Sequence, residues 1–162
     1  MNPEVEKLEQ TYPSVDLAYT FAVASYDVAL KRLDIVDNRL QTVLALGATI
    51  SLSVPALASA RGLGFSSGWF VAAAFAFASA MILGTFARVT GSIILINPSR
   101  LYNKWLHFSE WEFKKNFICY AGEHFEANRA LAGMRGWATT LVVMFFILEG
   151  LLLTVWASLP RP

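Results

Sequence analysis

The chain has 162 residues, of which 56% are hydrophobic and 15% are charged, and its formal net charge is +1. This composition is too apolar for an ordinary soluble domain of this length. A net charge so close to zero argues against nucleic acid as a partner, because nucleic-acid binding requires a basic face. The composition therefore predicts a small membrane protein that does not bind nucleic acid.

Three apolar stretches, 42–60, 69–87 and 136–158, dominate the sequence. A helix rises about 1.5 Å per residue, so each stretch is long enough to cross a hydrocarbon layer about 30 Å thick. We therefore predict an all-α membrane protein, with three transmembrane helices and long cytoplasmic helical stems.

The distribution of positive charge predicts the orientation of these spans. Ten of the thirteen Lys and Arg residues precede the first span or lie well between the second and the third. Arg88 stands at the end of the second span, and Arg61 and Arg161 lie in the other two connections. By the positive-inside rule, segments 1–41 and 88–135 are cytoplasmic, whereas the loop 61–68 and the tail 159–162 are external. This orientation predicts a multi-pass protein of the cell inner membrane.

Aromatic residues and helix signals refine this topology. Trp69 and Trp156 are expected at the outer interface of the membrane and Trp137 at the inner one. We predict one helix over 14–59, weakened near Pro55, and a second helix from Trp69 to Ile96 that ends at Asn97-Pro98. A capping box of Ser109 and Glu112 predicts the start of a third helix, over 110–158.

Glu149 is the most informative single residue for function. It lies about thirteen residues into the third span, and therefore roughly 20 Å from its cytoplasmic end. Ser51, Ser53 and Ser79 fall at a similar depth in the other two spans. An ionisable group at this depth needs a partner or water. Either these residues form a polar layer that lines a pore or a gate, or a neutral Glu149 is hydrogen-bonded to a hydroxyl between packed helices.

The second span carries small residues at a four-residue spacing, which are Gly68, Ala72, Ala76, Ala80 and Gly84. Small side chains allow helices to approach closely in lipid. This stripe packs either within one chain or between copies, and we expect a homo-oligomer, because three spans cannot bury every small or polar face among themselves.

The segment between the second and third spans holds two further candidates. The stretch 101–108 is aromatic and basic, so it predicts either an interfacial helix on the inner leaflet or packing against Phe113, Phe117 and Tyr120. Glu123, His124 and Asn128 form either a face for a polar ligand or a satisfied helical surface. Neither histidine has ligands at a zinc-like spacing, so we expect no metal and no other cofactor. The sequence contains no recognisable catalytic motif, which predicts that the protein is not an enzyme.

The run Asp34–Gly47, DIVDNRLQTVLALG, resembles the entry to the first span of bacterial Pycsar-type transmembrane effectors. The run Asn128–Arg135, NRALAGMR, is similar to the second half of the same pattern. The chain departs from that family in its odd number of spans and in having Arg39 and Arg135 at positions where lysine is expected. The resemblance implies an antiphage effector that disrupts the membrane when a cyclic nucleotide is made during infection.

The sequence therefore predicts a small effector that oligomerises in the lipid bilayer and permeabilises it. Two alternatives remain at this point. One is a non-catalytic scaffold or accessory subunit of a larger membrane complex, in which Glu149 meets a polar group of the partner. The other is a holin-like pore former, although the extended stems exceed what such a protein needs.

Overall fold

The computed structural model describes Tyr12, residues 14–60, residues 67–97, Ser99 and residues 101–158. Three α-helices account for most of these residues: α1, Val15–Ala60, α2, Gly68–Val89, and α3, Glu110–Ser158. A short π-helical turn, Leu101–Trp105, precedes α3, and the described ranges contain no strand. The all-helical prediction is therefore confirmed. Most of the predicted loop 61–68 and the whole tail 159–162 lie outside the described residues.

Two of the described helices, α2 and α3, are long and apolar enough to cross a membrane, judged by length and composition. In the most apolar 18-residue stretch of each helix, 28% of α2 and 17% of α3 is buried inside the chain. The core helix of a soluble protein is, by contrast, mostly buried. The remaining predicted span, 42–60, forms the C-terminal part of α1 and is not one of these two helices. A chain with three spans therefore remains a prediction, as do the cytoplasmic stems.

The ends of α1 and α3 lie close to their predicted positions. Helix α1 continues through Pro55, and α3 begins at Glu110, directly after Ser109, the first residue of the predicted capping box. The amide of Ser109 donates to Glu112 Oε2 at 3.1 Å, and the amide of Glu112 donates to Ser109 Oγ at 3.3 Å. These reciprocal bonds satisfy amides that have no partner within the first turn of a helix. The signal read from the sequence thus sets the start of α3.

The predicted extension of the second helix to Ile96 is wrong. Helix α2 ends at Val89, because Thr90 is extended and Gly91 adopts a φ of 81°. A residue with positive φ cannot continue a right-handed helix, and glycine adopts this conformation without steric cost. The residues from Ser92 to Asn97 are not helical.

Helices α1 and α3 each contribute to two compact units. Unit 1 comprises Met1–Leu33 and Ser92–Ala132, and unit 2 comprises Asp34–Gly91 and Gly133–Pro162. The boundary falls near Leu33 on α1 and near Ala132 on α3, while the whole of α2 belongs to unit 2.

Unit 1 is packed mainly with aromatic rings. Tyr19 of α1 meets the edge of Phe117 of α3 with ring centroids 5.0 Å apart. Trp105 of the π-helical turn makes edge contacts with Phe113 at 5.7 Å and with Tyr120 at 5.6 Å. Contacts of this kind contribute about 0.5–1.5 kcal/mol each beyond the area they bury. Of the two readings of segment 101–108, the structure shows the one in which Trp105 packs against α3.

Unit 2 has a core of small and aliphatic residues from all three helices. Its buried members are Leu40 of α1, Ala80 and Ala87 of α2, and Ala138 and Val142 of α3. The Trp156 ring is 2% exposed, with its centroid 4.9 Å from that of Phe70, and its position at the outer membrane interface stays a prediction. Alanine and glycine at helix contacts permit the close approach that brings the polar residues of this unit together.

Candidate functional site

The candidate site in unit 2 is centred on Glu149 of α3, which is 4% exposed. The side chain of Ser51, on α1, is its hydrogen-bond partner. One helical turn earlier on each helix, Gly47 faces Phe146, and a Cβ on Gly47 would fall inside the space of the Phe146 ring. The missing side chain at Gly47 therefore allows α1 and α3 to approach, and this approach places Ser51 beside Glu149.

The other two members of the predicted polar layer are bonded within their own helices. Ser53 Oγ donates to the carbonyl of Thr49 at 2.7 Å, and Ser79 Oγ donates to the carbonyl of Phe75 at 2.8 Å. The structure thus brings Ser51 and Glu149 together and directs the hydroxyls of Ser53 and Ser79 back to the backbone. This geometry corresponds to a carboxyl held between packed helices rather than to an open pore lining.

A second polar centre of unit 2, which the sequence reasoning did not identify, is built on Arg135. Arg135 is 4% exposed, and its Nη1 donates to Asp37 Oδ2 of α1 at 2.5 Å. Its Nη2 donates to the carbonyl of Gly91 at 3.1 Å and to that of Arg88 at 3.4 Å. One guanidinium therefore joins α1 and α3 and also satisfies carbonyls at the C-terminal end of α2.

The pairing of Arg135 and Asp37 is incomplete. Arg135 Nε and Asp37 Oδ1 are buried and have no hydrogen-bond partner among the described residues. A buried pair that loses one partner leaves an uncompensated charge, which typically costs 3–5 kcal/mol. The sequence did contain a signal: opposite charges stand just before the first and third predicted spans, and hence at similar predicted depths.

The predicted stripe of small residues on α2 is buried only in part. Ala76, Ala80 and Gly84 are buried, whereas Gly68 and Ala72 are exposed. A four-residue step exceeds one turn of 3.6 residues by about 40°, so a strict four-residue stripe drifts around the helix. The buried face instead combines steps of three and four residues, through Ala73, Ala76, Ala80, Gly84 and Ala87. At its centre, a Cβ on Gly84 would lie 2.6 Å from Leu44 Cδ2 of α1.

The predicted ligand face of Glu123, His124 and Asn128 is not assembled in unit 1. Asn128 is fully buried, and it binds the backbone of Ile94 by accepting from its amide at 3.1 Å and donating to its carbonyl at 3.0 Å. The His124 ring packs edge-on against Tyr120 at 4.0 Å, and Glu123 is exposed. Residues at i and i+1 on a helix point about 100° apart, which separates Glu123 from His124. Asn128 is therefore a structural residue rather than a ligand-binding one.

Tyr26 of α1 also binds the backbone of the non-helical residues 92–97, which follow α2. Its hydroxyl donates to the carbonyl of Ile94 and accepts from the amide of Ile96, both at 3.1 Å. Together with Asn128, it satisfies backbone groups that lost their helical partners when α2 ended. The early end of α2 therefore depends on side chains from distant parts of the chain.

A groove of about 440 Å³ lies in unit 1 beside Trp111 and is also lined by Tyr12, Val15, Ala18 and Lys115. The Lys115 ammonium lies 5.3 Å from the centroid of the Trp111 ring, within the range of a cation–π interaction. Trp111 Nε1 is buried and has no hydrogen-bond partner among the described residues. An exposed ammonium beside aromatic rings suits a flat ligand that carries negative charge.

In the described part of the chain, no group of three or more His, Cys, Asp or Glu side chains is arranged to hold a metal ion. Comparison of the chain with known protein families, with curated proteins and with solved structures finds no match.

Proposed function

We propose that this chain is an integral protein of the bacterial inner membrane that oligomerises and permeabilises the membrane in response to a nucleotide signal, as an effector of antiphage defence. The observation that carries the proposal is Glu149, a carboxyl buried between helices of an apolar unit and hydrogen-bonded to the hydroxyl of Ser51. Ionisable residues are rare within membrane helices, and they commonly mark paths for ions or water.

The exterior of unit 2 supports a location in lipid for all three helices. Large hydrophobic side chains are more than half exposed on α1, α2 and α3, including Leu46, Ile50, Leu52, Phe75, Ile82, Met144, Ile147 and Leu151. Contact of such a surface with water costs roughly 25 cal/mol per Å², whereas contact with lipid tails does not carry this cost. Leu46, Ile50 and Leu52 belong to the first predicted span, so they favour 42–60 as a third membrane helix.

In this proposal the structure represents the closed state. The carboxyl of Glu149 is covered by α1 and bound by Ser51, so it does not line a path for water. Separation of α1 from α3 at Gly47 and Phe146 exposes Glu149 and opens a polar route through the unit. Because Glu149 is covered by its own chain, a scaffold in which it meets a partner's polar group is less well supported.

The groove beside Trp111 is the proposed place for the signal. The rings of Trp111 and Tyr12 suit stacking with a base, and the Lys115 ammonium suits a phosphate. Both helices that line this groove continue into unit 2, so binding at one part of α1 and α3 can bias their packing at another.

The decisive experiment is dye efflux from liposomes that contain the purified protein, with and without a panel of cyclic mono- and dinucleotides. We expect efflux only with a nucleotide, and loss of that response in Trp111→Leu and Lys115→Gln but not in Lys104→Gln. Glu149→Gln and Glu149→Leu should change the efflux rate, whereas Ser53→Ala should not. Normal efflux by both Glu149 variants at matched insertion would exclude a gating role for this residue.

Two other outcomes select the alternatives. Efflux that does not depend on any added molecule would indicate a holin-like pore. Absence of efflux from inserted, folded protein, together with a second protein that co-purifies stoichiometrically from cells, would indicate a scaffold or accessory subunit.

The single cysteine of the chain tests the orientation. Cys119 is exposed and lies in the segment predicted to be cytoplasmic. A membrane-impermeant maleimide should label it in inside-out membrane vesicles and not in intact spheroplasts. Labelling in spheroplasts would contradict the proposed topology.

A further inference from the structure

One side of α1 within unit 1 exposes apolar residues at a coiled-coil spacing. Leu17, Phe21 and Val28 are 73%, 73% and 61% exposed, and Ala24 between them is exposed as well. Their steps of four, three and four residues match alternating d and a positions of a heptad repeat. We call these four residues the stem seam.

No helix among the described residues covers the stem seam. The opposite side of α1 makes the internal contacts of unit 1, through Tyr26, Ala29 and Leu33. Lipid is not available either if the topology proposed above is correct, because Val28 lies fourteen residues before the first predicted span, or about 20 Å along a helix. A row of large apolar side chains in this position calls for a protein partner.

The charges beside the stem seam indicate which partner fits. In this heptad Asp27 occupies a g position and Arg32 the e position five residues later, and both are exposed. In a parallel pair of helices, the g residue of one chain faces the e residue five positions later in the other, so Asp27 meets Arg32 of the second copy. The sequence repeats the arrangement one heptad later with Asp34 and Arg39.

An antiparallel pair would place like charges together, because g then faces g and e faces e. Lys31 stands at the next seam position, where it forms an ion pair with Asp27 of its own helix at 2.7 Å. A polar residue at a single core position weakens a coiled coil but restricts its alignment. The pattern is therefore selective for one orientation of the helices.

We propose that the stem seam binds the stem seam of a second copy of this chain, with the two α1 helices parallel and in register. Copies that are inserted into one membrane with the same topology meet in this orientation. The inference specifies the oligomer surface of the proposed effector, and it rests on that proposal for the exclusion of lipid and for the shared orientation of the copies. The partner is thus another copy of α1 rather than an unrelated protein.

Disulfide cross-linking tests the alignment. In a Cys119→Ser background, single cysteines are introduced as Leu17→Cys and Val28→Cys in the seam and as Val23→Cys at a c position outside it, where the side chain is 40% exposed. A disulfide requires Cα atoms within about 7 Å. We expect rapid covalent dimers at both seam positions of the protein in liposomes, and at least tenfold slower formation at position 23.

The alternative results overturn the proposal. Dimers at only one seam position would indicate an antiparallel crossing, because two positions eleven residues apart cannot both meet their own copies in that arrangement. Equal rates at position 23 would indicate random collision. An absence of dimers at both positions would mean that another molecule covers the seam.

A charge exchange provides an independent readout that does not require efflux. Arg32→Asp should lower dimer formation by Val28→Cys several-fold, and the further change Asp27→Arg should restore it. Failure of the double variant to recover would contradict the parallel pairing. The proposed function can fail while the cross-links form, and cross-links can be absent while nucleotide-dependent efflux occurs, so the two proposals are separable.

Discussion

Units 1 and 2 use the same two long helices but are held together by different chemistry. In unit 1, rings such as Tyr19 and Phe117 fill the space between helices, and Tyr26 and Asn128 bind an extended backbone segment. In unit 2, glycine and alanine bring the helices close, and one buried arginine links all three of them. Rings bury a large apolar area per residue, which stabilises a structure in contact with water. Small residues allow close helix packing, which is a main source of helix association in lipid, so the two kinds of packing match the surroundings proposed above for the two units.

The two units also differ in the side chains that their helices expose. Unit 1 carries exposed ion pairs such as Lys31 with Asp27, whereas large aliphatic side chains cover the helices of unit 2. The comparison indicates that one continuous helix can contribute to two differently packed units when its sequence changes along its length. Each prediction below removes one interaction that distinguishes the units.

The largest effect is expected for Arg135→Leu in unit 2. The change removes the partner of the Asp37 carboxylate, whose Oδ1 is buried, and frees the carbonyls of Arg88 and Gly91. Because the Asp37 side chain is 31% exposed, stability should fall by about 3 kcal/mol, the lower end of the range for a buried pair. Unfolding by denaturant in detergent micelles, followed by circular dichroism, measures the loss. Arg129→Leu, at an exposed position of the same helix, is the control and should change stability by less than about 0.5 kcal/mol. The double variant Arg135→Leu with Asp37→Leu should be more stable than Arg135→Leu alone, and equal stability would argue against a coupled pair.

Gly47→Ala should be the next most damaging change, again in unit 2. The added Cβ meets the Phe146 ring, and overpacking of this kind costs about 1–3 kcal/mol. Gly150→Ala is the matched control, because a Cβ there meets nothing within 4 Å. That control should stabilise α3 by up to about 1 kcal/mol, since alanine is the better helix former. If both variants shifted the midpoint of thermal unfolding in the same direction, the close approach of α1 and α3 would be refuted.

Asn128→Ala tests the hydrogen bonds between the Asn128 side chain and the backbone of Ile94 in unit 1. It removes two hydrogen bonds to the backbone of Ile94, which should cost about 1–3 kcal/mol because the freed groups are partly buried. Hydrogen exchange should accelerate at the amides of Ile94 and Ile96 more than in the bundle of unit 2. The exposed Asn38 gives the control variant Asn38→Ala, whose exchange pattern should match the wild type. Uniform acceleration throughout the chain would mean that Asn128 does not act locally.

Lys114→Met in unit 1 should have the smallest effect. Hydrogen bonds to Asp16 and then to Glu110, both at 2.5 Å, raise the pKa of Lys114 above its ordinary value of 10.5. Since the pKa is raised on folding, the charged form stabilises the protein fully below pH 10.5, and this contribution is lost as the pH rises further. The effect is small because the two carboxylates are 75% and 80% exposed to solvent. Thermal unfolding should show a wild-type advantage at pH 7 that shrinks above pH 10.5, and an advantage that grew there would contradict the assignment.

Glu149 and Ser51 could be identified as candidate residues from the sequence, but the contact between them could not. The depth of Glu149 and Ser51 along their helices follows from counting residues, so their similar level could be predicted. Their contact depends on Gly47 facing Phe146, which is a relation between side chains 99 positions apart. Residue counting predicts the same depth for Ser53 and Ser79, yet their hydroxyls donate to backbone carbonyls four residues earlier in their own helices.

The sequence by itself determined the features that depend on neighbouring residues. These include the all-helical class, the apolar character of α2 and α3, the start of α3 directly after Ser109, and both ends of α1 to within one residue. Local propensity, capping and hydropathy act over a few residues, so they can be read directly from a chain.

Only the tertiary structure decided where α2 ends, which small residues are buried, and which charges are paired. Helix α2 stops at Val89 because side chains from distant parts of the chain form hydrogen bonds with the backbone beyond it. Arg135 binds the carbonyl of Gly91, and both Asn128 and Tyr26 bind the carbonyl of Ile94. An Asn-Pro pair is a strong local stop signal, but it sets only the latest point at which the helix can end. Hydrogen bonds from residues far along the chain made an earlier end favourable, and no local pattern encodes them.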